Sequence, residues 1–115
     1  MFEEWFGIKP PNDTMGCLQD IHWSMGAFGY FPTYTLGNLY AAQLLEAMSK
    51  DLGDINQLIE RGNWDTILDW LREKVHSKGS VMTPAELIKS ATGYAPSPEP
   101  FLAYVEDKYS KLYNL

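Results

Sequence analysis

A succession of helix signals between residues 36 and 115 constrains the fold of this chain more than any other feature. Apolar residues recur there at spacings of three and four, which gathers them on one face of a helix. The first of these helices begins near Thr33 to Thr35, either of which can cap its start, and it ends before Gly53. The spacing predicts a helical structure throughout this part of the chain.

Four more helices are predicted from their start and stop signals. The clearest signal is Thr83-Pro84-Ala85-Glu86, which combines an N-cap threonine, a proline at the first helical position and a glutamate at capping-box spacing. The stops are Gly79 for the third helix and Gly93 for the fourth. The predicted starts of the four helices are Asp54, Asn63, Thr83 and the segment around Ser97. The fold class that follows is all-α, with about five helices.

Residues 1–35 differ in composition from the rest, since they are rich in glycine, proline and aromatic residues. Few helical periods occur here, so we expect an irregular or partly extended segment. If residues 18–23 are extended, Asp20 and His22 point to the same side of the chain. The length of 115 residues is typical of one small domain, and we expect residues 1–115 to form one.

Composition limits the function. The net charge of −6 argues against nucleic acid as a partner, because phosphate binding needs a basic face. Cys17 is the single cysteine, which excludes an internal disulfide and a zinc site built from cysteines. No apolar stretch is long enough to span a membrane, and the first residues lack the features of a signal peptide. We therefore expect a cytoplasmic protein without membrane or nucleic-acid partners.

The residues that could carry chemistry are concentrated between Gly16 and Gln43. A carboxylate such as Asp20 beside the imidazole of His22 can fix the tautomer and raise the pKa, which suits a hydrogen-bond donor or general acid. The alternative is a purely structural hydrogen bond within an aromatic core. His76 lies at a helix end, where a cation complements the helix dipole, and is expected to be structural.

The same segment resembles the carboxypeptidase Taq family. Gly16-x-x-Gln19-Asp20-x-His22-Trp23 is similar to the family motif G-x-x-Q-D-x-H-W, and Gly29-Tyr30-Phe31-Pro32-Thr33-Tyr34 also matches the family pattern. Matches continue through Thr83-Pro84-Ala85-Glu86-Leu87-Ile88 to the end of the chain. The resemblance thus covers essentially all 115 residues.

The resemblance implies a large helical zinc metallocarboxypeptidase whose metal centre contains an HExxH motif. This chain contains no HExxH, and family enzymes are several times longer. We therefore expect a C-terminal fragment that binds no metal by itself and is inactive alone, with zinc belonging to the parent enzyme. Within the fragment, residues 1–35 would form a substrate-groove segment and residues 36–115 a helical portion.

Site roles follow from the same resemblance. His22 and Tyr34 are the candidates for contacting the oxyanion or the C-terminal end of a peptide substrate, and Tyr30 is the reserve candidate. Asp20 would orient His22. Gln19 and Trp23 would shape the wall of the substrate groove.

A non-catalytic helical interaction module, or a stand-alone remnant of the enzyme, is the alternative function. Without the rest of the enzyme, aromatic surfaces that are normally interior would be exposed. Partner binding or a homo-oligomer would then be expected. The plausible contact residues are Trp5, Phe28, Phe31 and Tyr40.

Overall fold

The computed structural model describes all 115 residues and contains helices but no strands. This confirms the all-α prediction. The six α-helices are α1 (Phe2–Phe6), α2 (Pro32–Leu52), α3 (Ile55–Glu60), α4 (Trp64–Lys74), α5 (Pro84–Thr92) and α6 (Glu99–Tyr113). Two short 3₁₀ turns, Cys17–Gln19 and His76–Lys78, complete the secondary structure. Although α2 has 21 residues, no helix combines the length and apolarity needed to cross a membrane.

The chain divides into two compact units, Met1–Tyr34 and Thr35–Leu115. The first unit contains no buried residue, whereas every buried side chain belongs to the second. The grouping of all residues into one domain stays a prediction.

The core of the second unit is formed by α2, α3 and α4. Ala47, Met48, Ile55 and Trp70 are buried together, and leucine and isoleucine side chains of the same helices pack around them. The indole Nε1 of Trp70 donates a hydrogen bond to Asp51 Oδ2 over 2.8 Å, so the polar edge of this large ring is satisfied. The apolar face predicted for α2 is thus the face that packs.

Gln43 connects α2 to the segment between α5 and α6. Its side chain is fully buried, with 0% exposure. The amide nitrogen donates to Thr92 Oγ1 and to the backbone carbonyls of Tyr94 and Ala95, while the amide oxygen accepts the Ser97 N–H. These four bonds fix the end of α5 and the loop that follows it against α2.

The capping predictions for α3 and α5 are confirmed. Asp54 accepts the backbone N–H groups of Asn56 and Gln57, and Thr83 forms a reciprocal capping box with Glu86. Gly53 and Gly93 adopt positive φ angles of 84° and 90° directly after α2 and α5, a conformation that glycine adopts without steric cost.

Other boundary predictions are wrong in part. Neither Thr33 nor Thr35 caps α2, because the helix begins at Pro32 and the Thr33 hydroxyl donates to the carbonyl of Tyr30. Asn63 is the N-cap residue of α4, as predicted, although its side chain makes no capping bond. The end of this helix was predicted wrongly, because α4 ends at Lys74 rather than continuing to Gly79. Helix α1, at the start of the chain, was not predicted, and it accounts for the difference between the five helices expected and the six observed.

Candidate functional site

Residues 18–23 follow an irregular path, one of the two alternatives expected for this segment, and do not form a continuous extended stretch. A 3₁₀ turn covers Cys17–Gln19, and a series of turns begins at His22. Asp20 lies between them with extended backbone angles, φ −84° and ψ 126°. Its Oδ1 accepts the backbone N–H of His22 over 3.2 Å. This local bond from backbone to side chain, rather than an extended strand, brings the side chains of Asp20 and His22 together.

The Asp20 carboxylate also accepts a hydrogen bond from the imidazole of His22 at Nδ1. This bond to His22 is the main reason that the pKa of Asp20 is lowered from its ordinary value of 3.8. An ionised carboxylate can only accept hydrogen bonds, so Nδ1 must carry the proton. The other ring nitrogen, Nε2, is therefore left for a second partner.

That second partner is the phenol of Tyr34, whose oxygen lies 3.5 Å from His22 Nε2. This distance is at the long limit of a hydrogen bond, so the contact is weak. Tyr34 occupies the first turn of α2, which begins at Pro32. The rigid start of a long helix and the turn at His22 together produce a line from Asp20 through His22 to Tyr34.

Aromatic rings enclose the imidazole on several sides. Tyr30 stacks on His22 with centroids 5.8 Å apart and an interplanar angle of 21°. Phe31 and Tyr34 meet it edge-on, at 5.2 Å and 5.9 Å. The side chain of His22 retains only 21% exposure in a unit without buried residues. We refer to Asp20, His22, Tyr30, Phe31 and Tyr34 as the His22 cluster.

Two residues predicted for the substrate-groove wall lie outside this cluster. The Gln19 amide donates to the carbonyl of Thr14. The Trp23 ring packs against Phe28, with centroids 5.6 Å apart, and is largely exposed. Their substrate-binding roles stay predictions.

Phe31 is the member of the cluster that sequence reasoning did not place in the site. Hydrophobicity alone classes such a ring as a core or interface residue. The available signal was its position between Tyr30 and Pro32, directly before the helix that carries Tyr34.

No group of three histidine, cysteine, aspartate or glutamate side chains comes together in a way that could hold a metal ion. Asp20 and His22 are one carboxylate and one imidazole, and the groups nearest to them are phenols and a hydrocarbon ring. This donor set does not fit a zinc site, which requires at least three protein ligands of those types. We therefore assign no metal ligand to this chain.

Comparisons with known proteins agree with the motif. A model of the carboxypeptidase Taq (M32) metallopeptidase family matches residues 1–109. Thermostable carboxypeptidase 1 of Thermus thermophilus is 46% identical over 113 residues, which are 98% of this chain and 22% of that protein. Carboxypeptidase 1 of Bacillus subtilis is 46% identical over 114 residues, which are 99% of this chain and 23% of that protein.

Solved structures show the same relationship. The M32 carboxypeptidase from Deinococcus radiodurans R1 superposes with a TM-score of 0.92 at 37% identity, over 99% of this chain and 23% of that one. Metallocarboxypeptidase 1 of Trypanosoma cruzi gives a TM-score of 0.86 at 40% identity, over 94% of this chain and 23% of that one.

A helical segment of a metallopeptidase is thus the class that fold and motif define. The chain belongs to the carboxypeptidase Taq (M32) family and corresponds to the C-terminal part of its members. It spans about a fifth of the length of the curated relatives that it matches.

Proposed function

We propose that this chain supplies the His22 cluster to the substrate groove of a zinc metallocarboxypeptidase that releases C-terminal amino acids from peptides. The observation that carries the proposal is the line formed by Asp20, His22 and Tyr34 in a chain that belongs to this family. The imidazole and the phenol provide donors that an anion can use, and the ionised carboxylate of Asp20 orients the imidazole. The substrate C-terminal carboxylate and the oxyanion of peptide hydrolysis are both such anions.

The protonation state of His22 determines what it can donate. With the proton on Nδ1, neutral His22 can only accept at Nε2, where the Tyr34 hydroxyl is the nearby donor. A second proton would make Nε2 a donor as well. The Tyr34 hydroxyl is then released from His22 and can donate to the same anion. His22 and Tyr34 would act together on developing negative charge.

Zinc in the family enzymes polarises the scissile carbonyl as a Lewis acid. We propose that its ligands come from the other four-fifths of the enzyme, because the donor set of this chain does not fit a metal site. The chain alone would consequently not hydrolyse peptides. Tyr30 is the reserve candidate for the role of Tyr34, and Gln19 and Trp23 are candidates for the groove wall.

The wider setting is also part of the proposal. The natural ligand of the groove would be a peptide with a free C-terminal carboxylate. A cytoplasmic location and a homo-oligomeric state of the complete enzyme belong to the same proposal.

A chimera tests the function directly. This chain replaces the matching segment of the Thermus thermophilus thermostable carboxypeptidase 1, to which it is 46% identical. Hydrolysis of a peptide with a free C-terminus is then compared for the chimera and for its His22→Phe and Tyr34→Phe variants. We expect each substitution to lower kcat by about 100- to 1,000-fold, the loss typical of one oxyanion donor.

Tyr113→Phe is the matched control, because this exposed tyrosine makes no side-chain hydrogen bond and stacks only on Tyr109. It should leave kcat unchanged. An inactive chimera, or near-normal turnover in both the His22→Phe and Tyr34→Phe variants, would contradict the proposal. Peptide hydrolysis by the 115-residue chain alone in the presence of zinc would contradict the proposed inactivity.

A second candidate function is that of a non-catalytic interaction module. It is favoured by the lack of any buried residue in Met1–Tyr34, where large apolar side chains such as Trp5, Trp23 and Phe28 are mostly exposed. Light scattering on the purified chain distinguishes a self-associating chain from a monomeric one. Self-association that depends on Trp5 and Phe28 would support the module, and a strictly monomeric chain would count against it.

A further inference from the structure

Phe31 contacts both candidate donors of the His22 cluster. Its ring centroid lies 5.2 Å from that of His22, at an interplanar angle of 83°, and 5.8 Å from that of Tyr34, at 71°. Of the three rings around the imidazole, it is the nearest. It is also the only one without a polar group. The hydrocarbon ring of Phe31 therefore packs beside the His22 imidazole and the Tyr34 phenol, the two groups proposed to donate hydrogen bonds to the substrate.

The hydrogen bonds of the cluster do not fix this relative position by themselves. Asp20 contacts the imidazole ring of His22 at Nδ1 only. On the Nε2 side, the 3.5 Å separation from the Tyr34 oxygen is too long for a strong directional bond. A small combined change of the two side-chain torsions of His22 that rotates the imidazole about Nδ1 would move Nε2 away from Tyr34 while Nδ1 stays beside Asp20.

Packing against Phe31 opposes that rotation. A planar ring held edge-on to both His22 and Tyr34 restricts each of them through close contact and through the preference of aromatic pairs for such angles. Phe31 is 60% exposed, so its contribution to the core of the protein is small. Its position directly before Pro32, the first residue of α2, ties its backbone to the helix that carries Tyr34.

We propose that Phe31 is a positioning residue that sets the angle between the His22 imidazole and the Tyr34 phenol. Phe31 itself touches no reacting atom in this scheme and acts through its two neighbours. The inference rests on the proposed function for its catalytic consequence, whereas its geometric content concerns the chain alone.

Three variants in the chimera test the catalytic consequence. Phe31→Leu keeps an apolar side chain but removes the plane of the ring, and should lower kcat by up to about 100-fold, the cost that a misplacement of about 1 Å can have. KM should change little, since no substrate contact is lost. Phe31→Tyr keeps the ring and should restore kcat. Phe6→Leu is the matched control, because Phe6 is 62% exposed and pairs only with Phe2.

A measurement on the 115-residue chain tests the geometry without reference to activity. In its proton NMR spectrum, cross-peaks between the ring protons of His22 and Tyr34 report their proximity. We expect these cross-peaks to be lost in Phe31→Leu and retained in Phe31→Tyr and Phe6→Leu. Circular dichroism verifies that each variant is folded, and Phe31→Met takes the place of Phe31→Leu if the leucine variant unfolds.

The outcomes separate the two proposals. Retained cross-peaks in folded Phe31→Leu would overturn the positioning role, and so would an unchanged kcat in that variant when the His22→Phe and Tyr34→Phe variants are impaired. A fall in kcat that Phe31→Tyr does not restore would also overturn it. Normal turnover in His22→Phe and Tyr34→Phe would instead remove the proposed function, while lost cross-peaks in Phe31→Leu would still support the geometric role of Phe31.

Discussion

Asp20 holds His22 at two points, because its carboxylate accepts both the backbone N–H and the ring Nδ1–H of that residue. The bond to the backbone N–H fixes the position of the His22 backbone relative to Asp20. The bond to the ring fixes Nδ1 as the nitrogen that carries the proton. The pKa of Asp20 is lowered, chiefly by the ring bond, so the carboxylate stays ionised at every pH above its ordinary value of 3.8. The interaction is lost only as the pH falls through the lowered pKa.

Asp20→Asn in the chimera tests this relationship. An asparagine side chain carries both a carbonyl acceptor and an amide donor, so it no longer favours a single tautomer of His22. We expect kcat to fall by about 100-fold, the lower end of what a positioned proton-transfer group contributes. Steady-state kinetics between pH 5 and 9 give the measurement.

Asp13→Asn is the control for this substitution. Asp13 lies in the same unit, but only its backbone carbonyl accepts hydrogen bonds. Equal turnover of the Asp13→Asn and Asp20→Asn variants would show that the Asp20 charge has no role in positioning His22.

A second pair, Tyr94 and Glu46, predicts how the stability of the chain depends on pH. The Tyr94 hydroxyl donates to Glu46 Oε2 over 2.6 Å, and this bond raises the pKa of Tyr94 from 10.0 to about 12. The raised pKa means that the stabilisation is fully present below pH 10 and is lost as the pH rises from 10 to about 12. The pKa of Glu46 is lowered by its bonds to Lys50 and Tyr94, so its contribution is present above 4.5 and lost at lower pH.

Tyr94→Phe should therefore reduce the free energy of unfolding by about 1 kcal/mol at neutral pH, the net value of a partly exposed hydrogen bond. Urea denaturation at pH 7, 9 and 11 should show this difference shrinking at the highest pH. Tyr113→Phe provides the baseline, since that hydroxyl has no hydrogen-bond partner. A difference that stays constant up to pH 11 would contradict the assigned pKa of Tyr94.

Helices with local start and stop signals could be predicted from the sequence. The Thr83 capping box and the glycine after α2 use neighbouring residues only, so nothing elsewhere in the chain needs to be known. The short helix α1 could not be predicted, because five residues show no periodicity and Met1 provides no side-chain cap. Thr33 does not cap α2, because it lies inside the helix and its hydroxyl donates to the carbonyl of Tyr30.

The candidate site could be predicted in part. A separation of two residues lets Asp20 and His22 meet in an extended segment, so their pairing could be anticipated from the sequence, although the turn that brings them together could not. The contact between His22 and Tyr34 spans twelve residues and depends on the path of the turns between them. Phe31 could not be assigned to the site for the same reason, because its position between Tyr30 and Pro32 does not by itself distinguish a ring beside a histidine from one that fills a core.

Helix α5 offers a test of local stability. Thr83 and Glu86 satisfy each other's backbone N–H groups at its first turn, and the pKa of Glu86 is lowered mainly by its bond to the Thr83 side chain. Thr83→Ala should cost about 1 kcal/mol, the typical loss for an N-cap. The cost should diminish when Glu86 is replaced by alanine at the same time, since the two residues act as one unit. Additive losses in a double-mutant cycle by thermal denaturation would contradict the reciprocal cap.

Of all the substitutions considered, the replacement of Gln43 is expected to lower the stability of the folded chain the most. Gln43→Leu has a similar volume but leaves the Ser97 N–H and the Ala95 carbonyl without their partner, whereas the Tyr94 carbonyl still accepts from the Thr92 hydroxyl. Because a buried group without a partner costs about 1–3 kcal/mol, we expect a loss of roughly 3 kcal/mol in urea denaturation at pH 7. Gln57→Leu is the matched control, since Gln57 is exposed and bonds only within α3 and its caps.

Gln43→Glu separates the lost hydrogen bonds from a general packing defect. The new carboxyl keeps the acceptor for Ser97, but its ionised form cannot donate to the carbonyls and is buried. Burial raises the pKa of such a carboxyl in the folded state, so the variant loses stability relative to the parent chain as the pH rises above about 4.3. The difference between variant and parent should accordingly be larger at pH 7 than at pH 4. If the two differences are equal, the amide of Gln43 serves only to fill space between α2 and the loop before α6.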